Sequence, residues 1–429
     1  MSATVGQPTL PLFRRVAGLF YSKLARASAW LFVGSMAGGI LGYVFQVLMG
    51  RMLSTREYGL FSAMVALFAV LAAPLGALMM VVSRKVSEYR AKLDSGSITH
   101  FYYSINLRTA IVGALLLGIC FLFAPQVQSY LKAPSATPIY LLGALLFLTF
   151  PPIINNAFLQ GLQSFTWLSA SGLLGVLLKI IFSAVLVWLG YGVAGALGGT
   201  ILAALVGWVI TYSALYRLLE EGRGKPFQTA HLSFKPALPV LVANAAFAAM
   251  TQLDMVLVNY YFPAHEAGLY AAASILGKAV MYLPGGIAMA LFPMVAENHA
   301  REEGSAHLLL QAVGLTALLC GAGAVFYYLF GEWIITFLYG ESYRGAGAVL
   351  KYYGFAILPM GLVLVAENFL IAKGRVLFAY LFVVTAPLQL TAIYFYHGSL
   401  LMVVSVMGAS GLLLAMTGYG VLWRTFKKP

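Results

Sequence analysis

Glu57-Tyr58-Gly59-Leu60-Phe61-Ser62-Ala63 is echoed 209 positions later by Glu266-Ala267-Gly268-Leu269-Tyr270-Ala271-Ala272, and the same offset carries Glu88 onto Glu297. With small slips, Pro74-Leu75-Gly76 aligns with Pro284-Gly285-Gly286, Pro151 with Pro359, and Phe158-Leu159 with Phe369-Leu370. Self-similarity at one long offset marks a duplicated chain. Outward from these segments, uncharged or nearly uncharged runs recur near 29–50, 59–82, 106–126, 137–160, 165–190, 192–215, 236–262, 267–295, 308–329, 348–372, 375–395 and 399–422. Each has about the 20 residues needed to cross a ~30 Å hydrocarbon layer. They predict an all-α polytopic membrane protein of about 12 transmembrane helices in two six-helix lobes. An even number of spans per lobe gives both lobes the same orientation, related by a pseudo-two-fold axis along the membrane normal, as in two-lobed transporters. The expected division is an amphipathic cytoplasmic segment over 1–28, an N-terminal lobe over 29–215, a cytoplasmic linker over 216–235 and a C-terminal lobe over 236–429.

Composition agrees. Of the 429 residues 61% are apolar and 9% charged, with mean hydropathy +0.89, against about 45–50% apolar and about 25% charged in soluble chains. The net charge of +13 is dispersed between apolar runs and reads as an orientation signal, not a nucleic-acid surface. Four basic residues, Arg51, Arg56, Lys132 and Arg344, fall on one side and three, Lys179, Lys278 and Lys351, inside spans, which leaves 19 of the 26 on the other side. Basic residues are retained in the cytoplasm during insertion, so both termini are expected there, in the cell inner membrane. Residues 12–27 place Phe13, Val16, Phe20 and Leu24 on one helical face, as in a helix lying on the membrane surface. Cys120 and Cys320 read as packing residues.

Little in the sequence supports catalysis. His100, His231, His265, His299, His307 and His397 stand in loops or at helix ends without metal-ligand spacing, and Asp94 and Asp254 are the two aspartates. No phosphate-binding glycine loop occurs, so no enzyme activity and no cofactor are expected. What stands out is ionisable groups inside spans, each costing roughly 2.5–3.5 kcal/mol at a helix centre. Lys179 in the fifth span shares a stripe with Gly172, Gly175 and Ser183 and has no acid in its lobe's spans, so it is expected to face a central cavity and bind an anionic substrate. Lys278 in the eighth span is read as a second substrate-binding cation, coupled to Asp254 in the seventh. Glu367, beside Asn368 in the tenth, joins Asp254 as a candidate coupling or gating residue. Asn155 and Asn156, after the Pro151-Pro152 break, are candidate substrate ligands or satisfy the freed backbone. Pro74, Pro284 and Pro359 are candidate gating breaks. Gly34, Gly38 and Gly42, like Gly195 and Gly199, suggest close helix packing, and the aromatic stretch 332–343 an interfacial loop.

The twelve spans, the segment Met52-Leu53-Ser54-Thr55-Arg56-Glu57-Tyr58-Gly59-Leu60-Phe61, its echo from Leu253-Asp254 through Glu266-Ala267-Gly268-Leu269-Tyr270, and Phe337-Leu338-Tyr339-Gly340 resemble the polysaccharide-exporter branch of the multidrug/oligosaccharidyl-lipid/polysaccharide superfamily. The resemblance implies a flippase that moves a polyprenyl-diphosphate-linked oligosaccharide from the inner to the outer leaflet by alternating access. It implies a cationic central cavity, to which Lys179 and Lys278 are matched by depth. The implied partners are the lipid-linked oligosaccharide, membrane lipid, a coupling cation (H+ or Na+) and polysaccharide synthesis proteins. Two alternatives stay open: a cation-coupled exporter of small amphipathic solutes, and a non-transporting scaffold of a polysaccharide synthase.

Overall fold

The computed structural model describes residues 23–229, 238–285, 287, 306–372 and 377–426. Its helices are α1 (Lys23–Met52), α2 (Thr55–Ala72), α3 (Pro74–Ala91), α4 (Ser95–Leu122), α5 (Ala124–Leu131), α6 (Thr137–Gly161), α7 (Phe165–Leu186), α8 (Gly192–Glu221), α9 (Leu238–Tyr261), α10 (Ala264–Tyr282), α11 (Ala306–Tyr339), α12 (Ala346–Ala372), α13 (Leu377–Phe395) and α14 (Leu400–Phe426). A kink over Val187–Tyr191, where Gly190 takes a non-helical φ of 91°, joins α7 to α8. Among the described residues eight helical stretches meet the length and apolarity of a membrane span, and one of them, Phe165–Glu221, has 57 residues, enough for two crossings of about 20 residues each. The expected surface helix over 12–27 and the Glu297 match lie largely or wholly outside the described residues.

The duplication is visible in which helices touch. α1 packs on α7 as α9 packs on α13; α4 packs on α6 as α11 packs on α12; α6 packs on α8 as α12 packs on α14. α3 packs on α6, and α2 crosses α9 and α10 between the lobes. The expected linker over 216–235 begins inside a helix, because α8 continues to Glu221. Beyond it the chain lies on its own lobe: Lys225 Nζ donates to Ser95 Oγ at 3.0 Å, Gln228 N–H donates to Ser97 Oγ at 2.7 Å, and Phe227 stacks on His100.

The second span is two helices. Pro74 has no N–H to continue the ladder and its ring crowds the preceding turn, so α2 stops at Ala72 and Ala73 N–H bonds Val70 C=O, three residues back, at 3.3 Å. The same device recurs before Pro284, where Leu283 N–H bonds Val280 C=O at 3.2 Å. Pro359 instead lies buried within α12.

α2 starts at a capping box: Ser54 N–H donates to Glu57 Oε2 at 3.0 Å and Glu57 N–H to Ser54 Oγ at 3.3 Å. One turn on, the two echoed heptapeptides meet. A Cβ on Gly59 would lie 2.8 Å from Gly268 N, and one on Gly268 would run into the Thr55 carbonyl, so both glycines are there for backbone approach. Around this crossing Tyr58 and Tyr339 hydroxyls are 3.3 Å apart, Tyr58 packs edge-on to Tyr343, Tyr130 stacks on Tyr260, and Asn259 Nδ2 donates to Leu131 C=O at 2.7 Å. The stretch 332–343 is therefore only partly the expected loop anchor. α11 runs through it to Tyr339; Trp333 and Phe337 are exposed and stacked, but Tyr339 and Tyr343 are buried between the lobes.

The opposite end, which carries Lys23 and Phe426, differs. One apolar core runs from the crossing end of the N-terminal lobe through the C-terminal lobe, from Phe45 to Leu422. A second core, built on Val82, Tyr89, Phe101, Phe158 and Leu215, contains N-terminal-lobe residues alone. The lobes thus share a core at the crossing end, while toward the terminal end the N-terminal lobe has its own.

Candidate functional site

Between the lobes α1, α2, α9 and α10 line a cleft of about 260 Å³. From the N-terminal lobe come Gly39, Gly42, Tyr43, Gln46 and Ser62, and from the C-terminal lobe Gln252, Ser274, Lys278 and Tyr282. The α1 glycines do not all play the expected packing role. Gly34 abuts Ser169, but Cβ atoms on Gly38, Gly39 and Gly42 would meet nothing within 4 Å. Gly39 and Gly42 keep the cleft wall low. Gly195 and Gly199 do pack tightly, against the backbone of Leu186 and Ser183. Gln46 Oε1 is buried without a hydrogen-bond partner among the described residues, an acceptor left open beside the cleft.

Lys278 is the charged side chain of that lining. Its Nζ lies 3.2 Å from Oδ1 of Asp254, which is wholly buried. Oδ2 of Asp254 accepts from Tyr270 Oη at 2.8 Å and Tyr353 Oη at 3.2 Å. The carboxylate is thus held by three donors from α10 and α12, as a buried charge requires. Lys278 carries three N–H donors, and the described residues use one.

The 209-residue offset carries Asp254 onto Phe45 and Tyr270 onto Phe61. In the N-terminal lobe these two rings meet edge-on at 6.0 Å, and Lys179 Nζ stands 4.0 Å from the Phe45 centroid. Lys179, expected in the central cavity, is not among the residues lining the cleft. The face of an aromatic ring attracts an ammonium, by about 2 kcal/mol when desolvated, so Phe45 supplies much of the compensation that the absence of an acid in this lobe's spans left unexplained. Of the Lys179 stripe, Gly172 and Gly175 border open space, whereas Ser183 is buried and donates to Ala196 C=O.

The remaining candidates are scattered. Asn155 is fully buried; its Oδ1 accepts from Tyr102 Oη at 2.8 Å and its Nδ2 donates to Thr211 Oγ1 at 2.9 Å. Both ends of the amide are occupied in tying α6 to α4 and α8, which leaves nothing for a substrate. Asn156 Oδ1 is buried and unpartnered among the described residues. Glu367 is half-buried on α12 and makes no ion pair among them; it lies more than two turns from Pro359, and neither lines the cleft. Tyr270 and Tyr353, which complete the Asp254 site, were not singled out from the sequence. Tyr270 had a signal, being the one hydroxylated ring in the echo where Phe61 stands in the first copy.

Comparison with known proteins agrees with this architecture. By sequence the chain is similar to the "Probable flippase AglR" of Haloferax volcanii, 23% identical over 341 residues, which is 77% of this chain and 67% of that protein. A multidrug resistance MATE family transporter of the MOP superfamily, solved in an inward-facing conformation, superposes with a TM-score of 0.77 over 94% of this chain and 98% of that one, at 14% identity. Lipid II flippase MurJ, in an inward closed conformation, superposes with a TM-score of 0.71 over 91% of this chain and 87% of its own, at 13% identity. The MatE family model matches residues 239–396. The polysaccharide biosynthesis protein family model matches residues 24–299, well over half of the chain, and the protein belongs to that family.

Proposed function

We propose that the protein is a flippase for a polyprenyl-diphosphate-linked oligosaccharide, working by alternating access between its lobes. The observation that carries this is Lys278: an ammonium between a buried carboxylate and a two-lobed cleft, with no acidic side chain among the residues that line it. Family membership in polysaccharide biosynthesis and similarity to a probable flippase support the class of substrate.

In this reading the terminal end faces the cytoplasm, which the basic asymmetry supports, and the diphosphate enters the cleft there. Lys278 turns its free donors to the phosphate oxygens, a charge-assisted contact contributing about 1.5–3 kcal/mol. Gln46 and Gln252 offer amides to sugar hydroxyls. Drawing Lys278 away from Asp254 strands a buried carboxylate, and uptake of H+ or Na+ by Asp254 would relieve it and couple transport to an ion gradient. Separation at the Gly59 and Gly268 crossing, with hinging at Pro74 and Pro284, then opens the other face.

The test uses proteoliposomes and a fluorescent polyprenyl-diphosphate oligosaccharide whose accessible fraction is read by a membrane-impermeant quencher. Wild type should equilibrate the leaflets and Lys278→Gln should slow this by about ten- to a hundredfold, the equivalent of one charge-assisted contact. Equal rates in protein-free vesicles would contradict the proposal. A second reading, a cation-coupled exporter of small amphipathic solutes, is favoured by the MatE match over residues 239–396; it predicts efflux of an amphipathic dye and no movement of the lipid.

A further inference from the structure

We propose that a second pocket, at the crossing end of the N-terminal lobe, is a binding site for a phosphate-bearing group. The site stands apart from the central cleft and does not rest on the function proposed above. It has a volume of about 300 Å³ and lies among the α2 start, the α5–α6 connection and the α7–α8 kink, with Asn259 and Ala264 of the C-terminal lobe completing its wall.

The argument begins with charge. Arg51, Arg56, Lys132 and Arg344 are the basic residues of the connections at this end, where retention of cations on the opposite side makes each one unusual. Two have evident structural work. Arg51 donates to the backbone carbonyls of Phe337 and Leu338, and Arg344 pairs with Glu332 and Glu341. The other two both line this pocket. Arg56 has no hydrogen bond or ion pair among the described residues, and Lys132 makes a 3.5 Å contact to Phe262 C=O and lies 5.8 Å over the Tyr260 ring.

The pocket wall is also built in unusual backbone. Where α7 meets α8 the helix breaks at Gly190, with φ 91°, followed by Gly192 at φ 49°. Lys132 itself takes φ 52°, a left-handed conformation that costs a non-glycine residue roughly 1–2 kcal/mol. A side chain on Gly192 would sit 2.7 Å from Glu57 Oε1. Glu57, the acid in the lining, is committed through Oε2 to the Ser54 backbone and hydroxyl, which leaves two cations against one engaged carboxylate. That balance favours an anion, and a guanidinium with an ammonium suits phosphate oxygens. A soluble phosphate compound and a lipid-borne diphosphate offer the same chemistry.

The test is protection of a cysteine in purified, detergent-solubilised protein. Ser135, exposed and in the pocket lining, is replaced by Ser135→Cys in a Cys120→Ala background, and maleimide labelling is timed with inorganic diphosphate or with farnesyl diphosphate. Slowing of labelling by about fivefold or more, lost in Arg56→Gln/Lys132→Gln and kept in Lys278→Gln, is the expected result. Protection by both probes assigns a soluble phosphate source and protection by farnesyl diphosphate alone a lipid one. Gel filtration and thermal unfolding of the double variant check that it is folded. No protection by either probe, protection that survives the double substitution, or protection abolished by Lys278→Gln would overturn the proposal.

Discussion

Three helix pairings of the N-terminal lobe recur in the C-terminal lobe, yet each lobe solves the problem of an ammonium inside a span differently. In the C-terminal lobe Lys278 faces a carboxylate that two tyrosine hydroxyls also hold. In the N-terminal lobe the positions 209 residues earlier are Phe45 and Phe61, and Lys179 sits over the ring of the first. A carboxylate accepts directional hydrogen bonds and can exchange its cation for a proton or a metal ion. A phenyl ring can do neither, and offers a weaker, non-titrating attraction. Duplication thus supplied one scaffold twice, and the copies diverged: Phe45 stands where the second copy has Asp254, and the lysines sit on non-equivalent helices, Lys179 on α7 and Lys278 on α10. The ionic copy alone contributes its lysine to the cleft lining.

The largest expected effect breaks the ionic side. Asp254→Leu strands Lys278, and thermal unfolding in detergent should register a loss of roughly 3–5 kcal/mol. Asp254→Leu/Lys278→Met should recover much of it, because neither charge is then left alone. Strictly additive losses would remove the pairing from the account. Next is the crossing that both lobes share. Gly268→Ala drives a methyl into the Thr55 carbonyl and should cost about 1–3 kcal/mol, or raise labelling of a cysteine at Tyr130 as the lobes part; unchanged stability and labelling would mean the crossing is loose. The smallest effect sharpens the aromatic side. A double-mutant cycle with Phe45→Leu and Lys179→Met should give a coupling of about 0.5–2 kcal/mol, and a zero coupling would show that the ammonium is held by something else.

Much of this architecture was legible before any coordinates. Glu57 to Ala63 and its echo carried the duplication because their glycines bring two backbones together, a role no other residue type fills. Pro74 and Pro284 were readable for a similar reason: a residue without an N–H leaves the same gap in any helix. Depth along a span likewise brought Asp254 and Lys278 to a common level. Direction around the helix was harder. Lys179 has small residues on its stripe, which fits a cavity as well as a packed face, and its ring partner Phe45 lies on another helix at a separation that no local pattern encodes. Asn155 was ambiguous for the same reason, since its partners Tyr102 and Thr211 come from α4 and α8. Gly38 and Gly42 were misread because a spacing of four serves an open wall and a packed one alike.

The division of labour between the two lysines is the central claim, and binding tests it most directly. Equilibrium binding of a short-chain polyprenyl diphosphate to purified protein should be measured with Arg56→Gln/Lys132→Gln as the background, so that the crossing-end pocket does not contribute. Lys278→Gln should weaken binding by roughly ten- to a hundredfold, while Lys179→Gln should stay within about twofold, since its charge faces Phe45 and not the cleft. Loss of binding in Lys179→Gln with full binding in Lys278→Gln would contradict the account.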